Sequence, residues 1–166
     1  MTYSKTNALV WLRVSALAII ADQLSKWWVL THTMPGQRIP LIDGFLYRTL
    51  VFNRGAAFSF LADGSGWQRW FFVVLAVAIC VALGVWLWRT PRRDWRTALP
   101  LALIIGGALG NLVDRIKVGQ VTDFVLVYFG DWAYPAFNVA DSCICVGAVM
   151  LVAFSLFGGK RNADVS

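Results

Sequence analysis

Two polar stretches interrupt an otherwise apolar chain: Gly110-Asn111-Leu112-Val113-Asp114-Arg115, which runs on to Val121-Thr122-Asp123-Phe124, and Phe137-Asn138-Val139-Ala140-Asp141-Ser142. Each lies at the edge of a segment that is apolar enough to enter a bilayer, where a central aspartate costs roughly 2.5 to 3.5 kcal/mol on insertion scales. The nine acidic residues are all Asp, and several of them stand in these costly places. Carboxylates in such positions indicate a function.

The composition is that of a membrane protein. Hydrophobic residues make up 58% of the 166 residues and charged residues 14%, with a mean hydropathy of +0.63. This apolar surface exceeds what a soluble core of that size buries, so we expect one integral membrane domain over 1–166. The net charge of +6 comes from basic residues at the ends of apolar runs rather than from one patch, which argues against nucleic-acid binding.

Four stretches are predicted to span the membrane, at about 8–30, 70–88, 98–113 and 136–157. The first follows Lys5, as the apolar run of a cleavable signal peptide does. It continues into Asp22-Gln23-Leu24-Ser25-Lys26 without a small-residue cleavage site, so we interpret it as retained. The predicted fold class is an α-helical integral membrane protein with four transmembrane helices.

Basic residues set the predicted orientation. The connection between the second and third spans carries Arg89, Arg92, Arg93 and Arg96, and Lys5 and the Lys160-Arg161 tail fall on the same side. Because cytoplasmic loops are enriched in Lys and Arg, this side is predicted to be cytoplasmic, with both termini on it. The two longer connections, and with them both polar stretches, then face the exterior.

The first exterior connection carries strand and turn signals. Ile39-Pro40-Leu41-Ile42 and Phe45-Leu46-Tyr47 flank Asp43-Gly44, and the apolar pattern continues through Thr49-Leu50-Val51-Phe52. This pattern predicts a hairpin and a small exterior sheet at about 36–60. An exposed edge of such a sheet can bind an extended peptide by strand addition.

Conventional catalytic and metal-binding motifs are absent from the sequence: there is no G-x-S-x-G, no H-E-x-x-H and no P-loop motif. The single histidine, His32, has no second histidine with which to share a metal, and we interpret it as a surface residue. Cys80, Cys143 and Cys145 fall within predicted spans and are interpreted as small apolar residues of the packing. We therefore predict no metal site, which leaves the aspartates.

Two groups of aspartates favour a structural interpretation. Asp22 and Lys26 stand at i and i+4, the spacing of an intramembrane ion pair. Asp114 and Arg115 follow a G-x-x-x-G face, and this acid–base pair suits the anchoring of a helix end at the membrane surface.

Asp123 and Asp141 allow two interpretations. Asp123 has apolar neighbours and no adjacent basic residue, whereas Asp141 lies one turn inside the fourth span. In the structural interpretation, Asp123 caps a short element and Asp141 forms a hydrogen bond to a neighbouring helix. The chemical alternative is a pair of carboxyls that share one proton near neutral pH, as in aspartic proteases.

Five stretches resemble the bacterial lipoprotein signal peptidases (signal peptidase II), aspartic proteases of the inner membrane. They occur in the family's order over nearly the whole chain: Asp22-Gln23-Leu24-Ser25-Lys26, Phe52-Asn53-Arg54-Gly55-Ala56-Ala57-Phe58-Ser59, Gly107-Ala108-Leu109-Gly110-Asn111-Leu112-Val113-Asp114-Arg115, Gly119-Gln120-Val121-Thr122-Asp123-Phe124 and Pro135-Ala136-Phe137-Asn138-Val139-Ala140-Asp141-Ser142.

The resemblance implies four transmembrane helices, cytoplasmic termini, a small periplasmic β-cradle and a short periplasmic helix, with the active site at the periplasmic face of the bacterial inner membrane. It implies that Asp123 and Asp141 are the catalytic pair. It further implies that the residues lining or supporting the site are Asn53, Gly55, Asn111, Arg115, Asn138 and Ala140. The residues that support the architecture are then Asp22, Lys26 and Asp114.

The implied reaction is cleavage before the lipid-modified cysteine of a prolipoprotein, by a chain expected to act as a monomer with membrane lipid around it. The resemblance implies no metal and no organic cofactor. The rival from another class is a four-helix transporter or channel in which Asp22, Asp114 and Asp141 relay protons. That rival predicts carboxylates near mid-span, whereas these cluster at one end. A structural subunit of a membrane assembly leaves the pair Asp123 and Asp141 unexplained.

Overall fold

A computed structural model describes residues 7–55 and 67–157. Its four helices are each long and apolar enough to cross a membrane, and a small antiparallel sheet accompanies them. This confirms the predicted fold class. The helices are α1 (Leu12–His32, preceded by a 3-10 turn at Ala8–Trp11), α2 (Trp67–Arg89), α3 (Trp95–Val118) and α4 (Val139–Phe157), and the strands are β1 (Ile39–Ile42), β2 (Leu46–Asn53), β3 (Val121–Phe129) and β4 (Trp132–Ala133).

The third helix is longer than the predicted 98–113. It begins after Asp94, whose side chain accepts a hydrogen bond from the Thr97 backbone N–H, and it ends at Gly119, which has a φ of 79°. Pro100 lies in an early turn of the helix and does not end it. Beyond the predicted end at 113, Asp114 is buried and Arg115 is half-buried, whereas 116–118 are exposed, so the end of the helix is set by the turn at Gly119 and not by hydropathy.

α3 is the central helix. It packs against α1, α2 and α4, whereas α2 and α4 leave long apolar faces exposed, as expected for helices in contact with lipid. Small residues permit the close packing. A Cβ built on Gly106 would lie 2.8 Å from the Cβ of Ala18 in α1, and one built on Gly107 would meet the backbone carbonyl of Ala140 in α4.

The sheet has the strand order β1-β2-β3-β4, all antiparallel. The predicted hairpin is present: β1 pairs with β2 across a turn in which Gly44 adopts a φ of 74°. Strand β3 comes from the second long connection and was not predicted, because its apolar run follows a polar stretch and has no clear alternation. Its register places Val51 of β2 opposite Asp123.

Some predicted features fall outside the described residues. Ala56 and Ala57, Lys5 and the Lys160-Arg161 tail are among them. The described part of the connection between α1 and α2 contains no short helix, and its remainder, 56–66, lies outside what the structure describes.

We expect Gly107→Ala to weaken the contact between α3 and α4. The added methyl group would overlap the carbonyl of Ala140, and overpacking of this kind costs about 1 to 3 kcal/mol. The thermal unfolding midpoint of the purified protein in detergent should therefore fall. The matched control is Gly84→Ala in α2, where a Cβ has nothing within 4 Å. An equal midpoint for the two variants would contradict the packing described for α3.

Candidate active site

Strand β3 and helix α4 bring Asp123 and Asp141 to one cavity. Asp123 is buried on β3, and Asp141 lies in the first turn of α4. The cavity has a volume of about 630 Å³ and lies between the sheet and the beginning of α4. Both carboxyls line it, together with Asn53, Gly55, Asn111 and Arg115 from the predicted set.

Asn138 connects the two carboxyls. Its side chain is fully buried, and its Nδ2 donates to Asp123 Oδ1 at 2.7 Å, while its backbone N–H donates to Asp141 Oδ2 at 3.2 Å. In return, Asn138 Oδ1 accepts from the backbone N–H of Asp141 at 2.9 Å. This reciprocal pair is a capping box. The capping box therefore starts helix α4, and through Asn138 it also places the Asp141 carboxyl beside that of Asp123.

Two further amides complete the carboxyl contacts. Asn111 Nδ2 donates to Asp141 Oδ1 at 2.7 Å, and Asn53 Nδ2 donates to Asp123 Oδ2 at 3.2 Å. Asn53 also accepts from the backbone N–H of Gly55 at 3.0 Å, which fixes the direction of its amide. Each of the four carboxyl oxygens therefore has an N–H donor. The structural interpretation of Asp141 is a hydrogen bond to a neighbouring helix, and the bond from Asn111 of α3 is such a bond. It occurs together with the placement of Asp141 beside Asp123.

An ion cluster lies next to these amides. Lys26 is 3% exposed, and its Nζ lies 2.8 Å from Asp22 Oδ2 and 2.8 Å from Asp114 Oδ2. A third contact runs from Nζ to Asn111 Oδ1 at 3.1 Å. The predicted pair of Asp22 and Lys26 is thus present. Asp114 pairs with Lys26 rather than with Arg115, because its side chain points into the bundle.

The cluster also satisfies backbone groups of its neighbours. Asp22 Oδ1 accepts from the Ala140 N–H at 2.9 Å, and Asp114 Oδ2 accepts from the Thr122 N–H at 3.1 Å. Asp22 therefore holds the start of α4, and Asp114 holds the start of β3. Gln23 was not predicted as a site residue, yet its Nε2 donates to Asp114 Oδ1 at 2.9 Å. The sequence feature that indicates a role for Gln23 is its position beside Asp22 in a polar segment.

Arg115 closes one side of the cavity. Its Nη2 donates to the carbonyl of Gly55 at 3.4 Å, and its guanidinium lies 5.0 Å from the ring centre of Phe72 in α2. Gly55 is buried. The arginine therefore places a cation near the carboxyls and fixes the end of β2 to helix α3.

The surroundings of Asp123 change its acidity. Burial raises the pKa of this carboxyl to about 7, and the negative charge of Asp141 adds to the effect. Hydrogen bonds from Asn53 and Asn138 and the charge of Lys26 act in the opposite direction. A carboxyl with a pKa near neutrality can both give and take a proton under physiological conditions, which suits general acid–base chemistry.

The remaining candidate ligands do not converge. Among residues 7–55 and 67–157, no three His, Cys or Asp side chains form a group that could hold a metal ion. His32 is exposed and stacks on Trp28 with ring centres 5.0 Å apart. Cys80 and Cys143 are half-buried free thiols, and Cys145 lines the cavity one turn after Asp141.

Known proteins are similar to this chain over nearly its whole length. The family model for signal peptidase (SPase) II matches residues 14–157. The lipoprotein signal peptidase of Xanthomonas campestris pv. campestris (strain 8004) is 52% identical over 156 residues, covering 94% of this chain and 93% of that protein. The lipoprotein signal peptidase of Xylella fastidiosa (strain M12) is 49% identical with the same coverage. A solved bacterial membrane enzyme, determined by the in meso method at 2.3 Å resolution, is similar with a TM-score of 0.78 and 27% identity, covering 95% of this chain and 94% of that one.

We expect Lys26→Met to destabilise the protein strongly. The substitution keeps a long apolar side chain but leaves the carboxylates of Asp22 and Asp114 buried without their cation, and removal of one partner from a buried ion pair costs about 3 to 5 kcal/mol. Thermal unfolding in detergent measures the loss. The control is Lys117→Met near the end of α3, where the lysine is exposed and has no ion pair among the described residues. A similar midpoint for both variants would show that the cluster does not stabilise the bundle.

Proposed function

Because the chain belongs to the signal peptidase II family, whose members are membrane proteases that process prolipoproteins, we propose that Asp123 and Asp141 are its catalytic pair. The observation that carries this proposal is the bridging of the two carboxyls by Asn138 inside one cavity. The pKa of about 7 for Asp123 supports it, since one carboxyl then keeps a proton while the other is ionised.

The chemistry follows from one shared proton. The ionised carboxylate accepts a proton from a water molecule as the water oxygen attacks the carbonyl carbon of the scissile peptide bond. The neutral carboxyl gives its proton to the carbonyl oxygen, which forms a neutral tetrahedral diol. When the C–N bond breaks, the carboxyl that took the proton of water gives it to the leaving nitrogen, and the other carboxylate takes a proton from a diol hydroxyl as the carbonyl re-forms, which restores the starting state of the pair. The products are the carboxyl end of the signal peptide and a new amino terminus on the lipid-modified cysteine.

The shape of the cavity supports this substrate. Its walls include Ile144 and Cys145, which lie on the membrane-spanning helix α4, and strand residues such as Asn53 on the other side. We propose that the apolar signal segment approaches from the helices and that the lipid stays in the bilayer. Each buried methylene of that lipid contributes about 0.8 kcal/mol of membrane affinity. Gly55 has no side chain to hinder the approach of the substrate backbone.

The placement in the membrane is also proposed. The beginning of the described chain and the loop between α2 and α3 lie together, since the Ala8 N–H donates to the carbonyl of Thr90 at 3.0 Å. The end of α4 lies at the same level, where Phe154 contacts Trp95 with ring centres 5.4 Å apart. The arginines of that loop favour the cytoplasm, so we propose cytoplasmic termini and a periplasmic site in the bacterial inner membrane. We also propose that the chain acts as a single-domain monomer without a metal or cofactor.

We expect Asp123→Asn and Asp141→Asn each to abolish cleavage of a lipidated prolipoprotein, with a loss of at least about 100-fold, because an amide cannot exchange the required proton. The measurement is a gel shift in detergent or liposomes, with thermal unfolding recorded for each variant. Asp131→Asn, in the exposed turn between β3 and β4, is the matched control and should retain activity. Substantial turnover by either pair variant would remove that residue from the mechanism.

The same assay tests the substrate and the absence of a metal. A prolipoprotein whose cysteine is unmodified should be cleaved little or not at all, and a strong chelator should leave cleavage of the lipidated substrate unchanged. Equal cleavage of both substrates would favour a general intramembrane protease. Loss of activity in chelator that added zinc restores would overturn the carboxylate mechanism.

We expect kcat/KM to decline as the pH rises above about 7. The raised pKa means that Asp123 keeps its proton up to about pH 7, so one acid and one base coexist below that value, and both carboxyls are ionised above it. Asn53→Ala removes a donor that lowers the pKa of Asp123, so the decline should move to higher pH. Asn7→Ala, near the loop between α2 and α3, is the control that should not move it. A profile that is flat through pH 7 would count against the shared proton.

A further inference from the structure

Two arginines that the proposed chemistry does not use lie at the mouth of the active-site cavity. Arg38 immediately precedes β1 and Arg54 immediately follows β2, and both side chains are exposed. Both also line the cavity that contains Asp123 and Asp141. We call Arg38 and Arg54 the basic mouth.

The basic mouth is held by neutral groups. Arg38 Nη1 donates to the Tyr128 hydroxyl at 2.8 Å, and Arg54 Nε donates to Gln120 Oε1 at 3.4 Å. The ion pairs found within residues 7–55 and 67–157 both belong to Lys26, so neither mouth arginine has a carboxylate partner in that part of the chain. Hydrogen bonds to uncharged partners position the two guanidiniums but leave their positive charge available to a ligand.

The two arginines flank the catalytic pair along the sheet. Arg54 follows Asn53, whose amide donates to Asp123, so its backbone lies one residue from a direct contact with the pair. Arg38 reaches Tyr128, which lies further along the same strand as Asp123. Beyond Asp141, helix α4 contributes Ile144 and Cys145 to the opposite wall. Apart from the two carboxyls, the cavity is therefore apolar along α4, and it carries the positive charges of Arg38 and Arg54 on the side of the sheet.

A prolipoprotein has two chemically different parts at the scissile bond. The signal segment before the bond is apolar and suits the wall formed by α4. The segment after the lipidated cysteine is the part that leaves the membrane, and we place it on the side of the cavity where the sheet lies, because the signal segment occupies the side of α4. We propose that Arg38 and Arg54 make the enzyme select for acidic, and against basic, side chains in the first residues after that cysteine. The inference rests on the proposed catalytic pair and adds a substrate preference to it.

The physical basis is electrostatic attraction at an exposed surface. Each exposed ion pair of this kind changes affinity by a few-fold, and salt screens it over about 10 Å at roughly 0.1 M. An acidic segment should therefore be cleaved faster at low salt than a basic one, and the difference should shrink as salt is added. Arg115 also lies in the cavity, but it contacts Gly55 beside the pair and is left unchanged in the test.

The experiment compares three lipidated prolipoproteins that differ only in the two residues after the cysteine: Asp-Asp, Asn-Asn and Lys-Lys. For the wild type at low salt we expect kcat/KM to follow that order, with a ratio of about threefold to tenfold between the first and the last. In the double variant Arg38→Gln/Arg54→Gln the ratio should fall below about twofold, and Arg54→Glu should reverse the order. Each ratio is formed within one variant, so a general loss of activity does not affect it.

The control is Arg92→Gln/Arg93→Gln in the loop between α2 and α3, which should keep the wild-type order. A wild type without preference, or a preference that survives in the double variant, overturns the inference. A change that follows the anionic lipid content of the liposomes but not the substrate sequence also overturns it, and assigns the basic mouth to lipid headgroups. Cleavage of the Asn-Asn substrate shows that the proposed catalytic function stands whichever result is obtained.

Discussion

The structure depends on one buried cation. Lys26 has three N–H donors and no acceptor, and its ammonium contacts Asp22, Asp114 and Asn111. Burial of charges is costly unless they are paired and hydrogen-bonded. Here the carboxylates of Asp22 and Asp114 also accept hydrogen bonds from backbone N–H groups at the start of α4 and the start of β3. The same few atoms therefore hold α1, α3, α4 and β3 in one arrangement, and any shift of a helix would leave a charge without its partner.

The cation also determines how the side chains of the proposed catalytic pair are presented. Because the ammonium only donates, it requires the oxygen of the Asn111 amide to face it, and the amide nitrogen then faces Asp141. The capping box fixes Asn138 in the same way, since its oxygen accepts from the backbone of α4 and its nitrogen is directed to Asp123. Neither amide can rotate without the loss of a hydrogen bond in a buried place. The carboxyls are therefore held in position before a substrate arrives, which is the condition for efficient acid–base chemistry.

The parts of this arrangement that the sequence predicted are those set by local rules. The apolar run at 70–88 gave α2 within a few residues, the Asp43-Gly44 turn gave the first hairpin, and the i, i+4 spacing gave the pair of Asp22 and Lys26. The parts it did not predict depend on distant residues. Strand β3 exists because β2 offers it an edge, and the far end of α3 stays helical because Lys26 and Thr122 bind Asp114. The contact of Gln23 with Asp114 joins residues far apart in sequence. The inward direction of Asp114, away from Arg115, likewise follows from the partner that α1 supplies.

The location of the polar groups reconciles two opposed requirements. A hydrolase needs water and ionised carboxyls, whereas a bilayer excludes both. In this chain the charged cluster takes Asp22 from the middle of α1, Lys26 from the next turn and Asp114 from near the end of α3, and it meets the start of α4 on the side of the bundle where the sheet lies. Polar groups there reach neither the lipid nor bulk solvent freely. Partial removal from water is what raises the pKa of Asp123, so the burial that makes the carboxyl costly to fold also keeps a proton on it near neutral pH. The free-energy cost in folding and the capacity for acid–base chemistry thus have the same cause, which is the removal of the carboxyl from water. The buried Lys26 ammonium next to the pair offsets part of that cost.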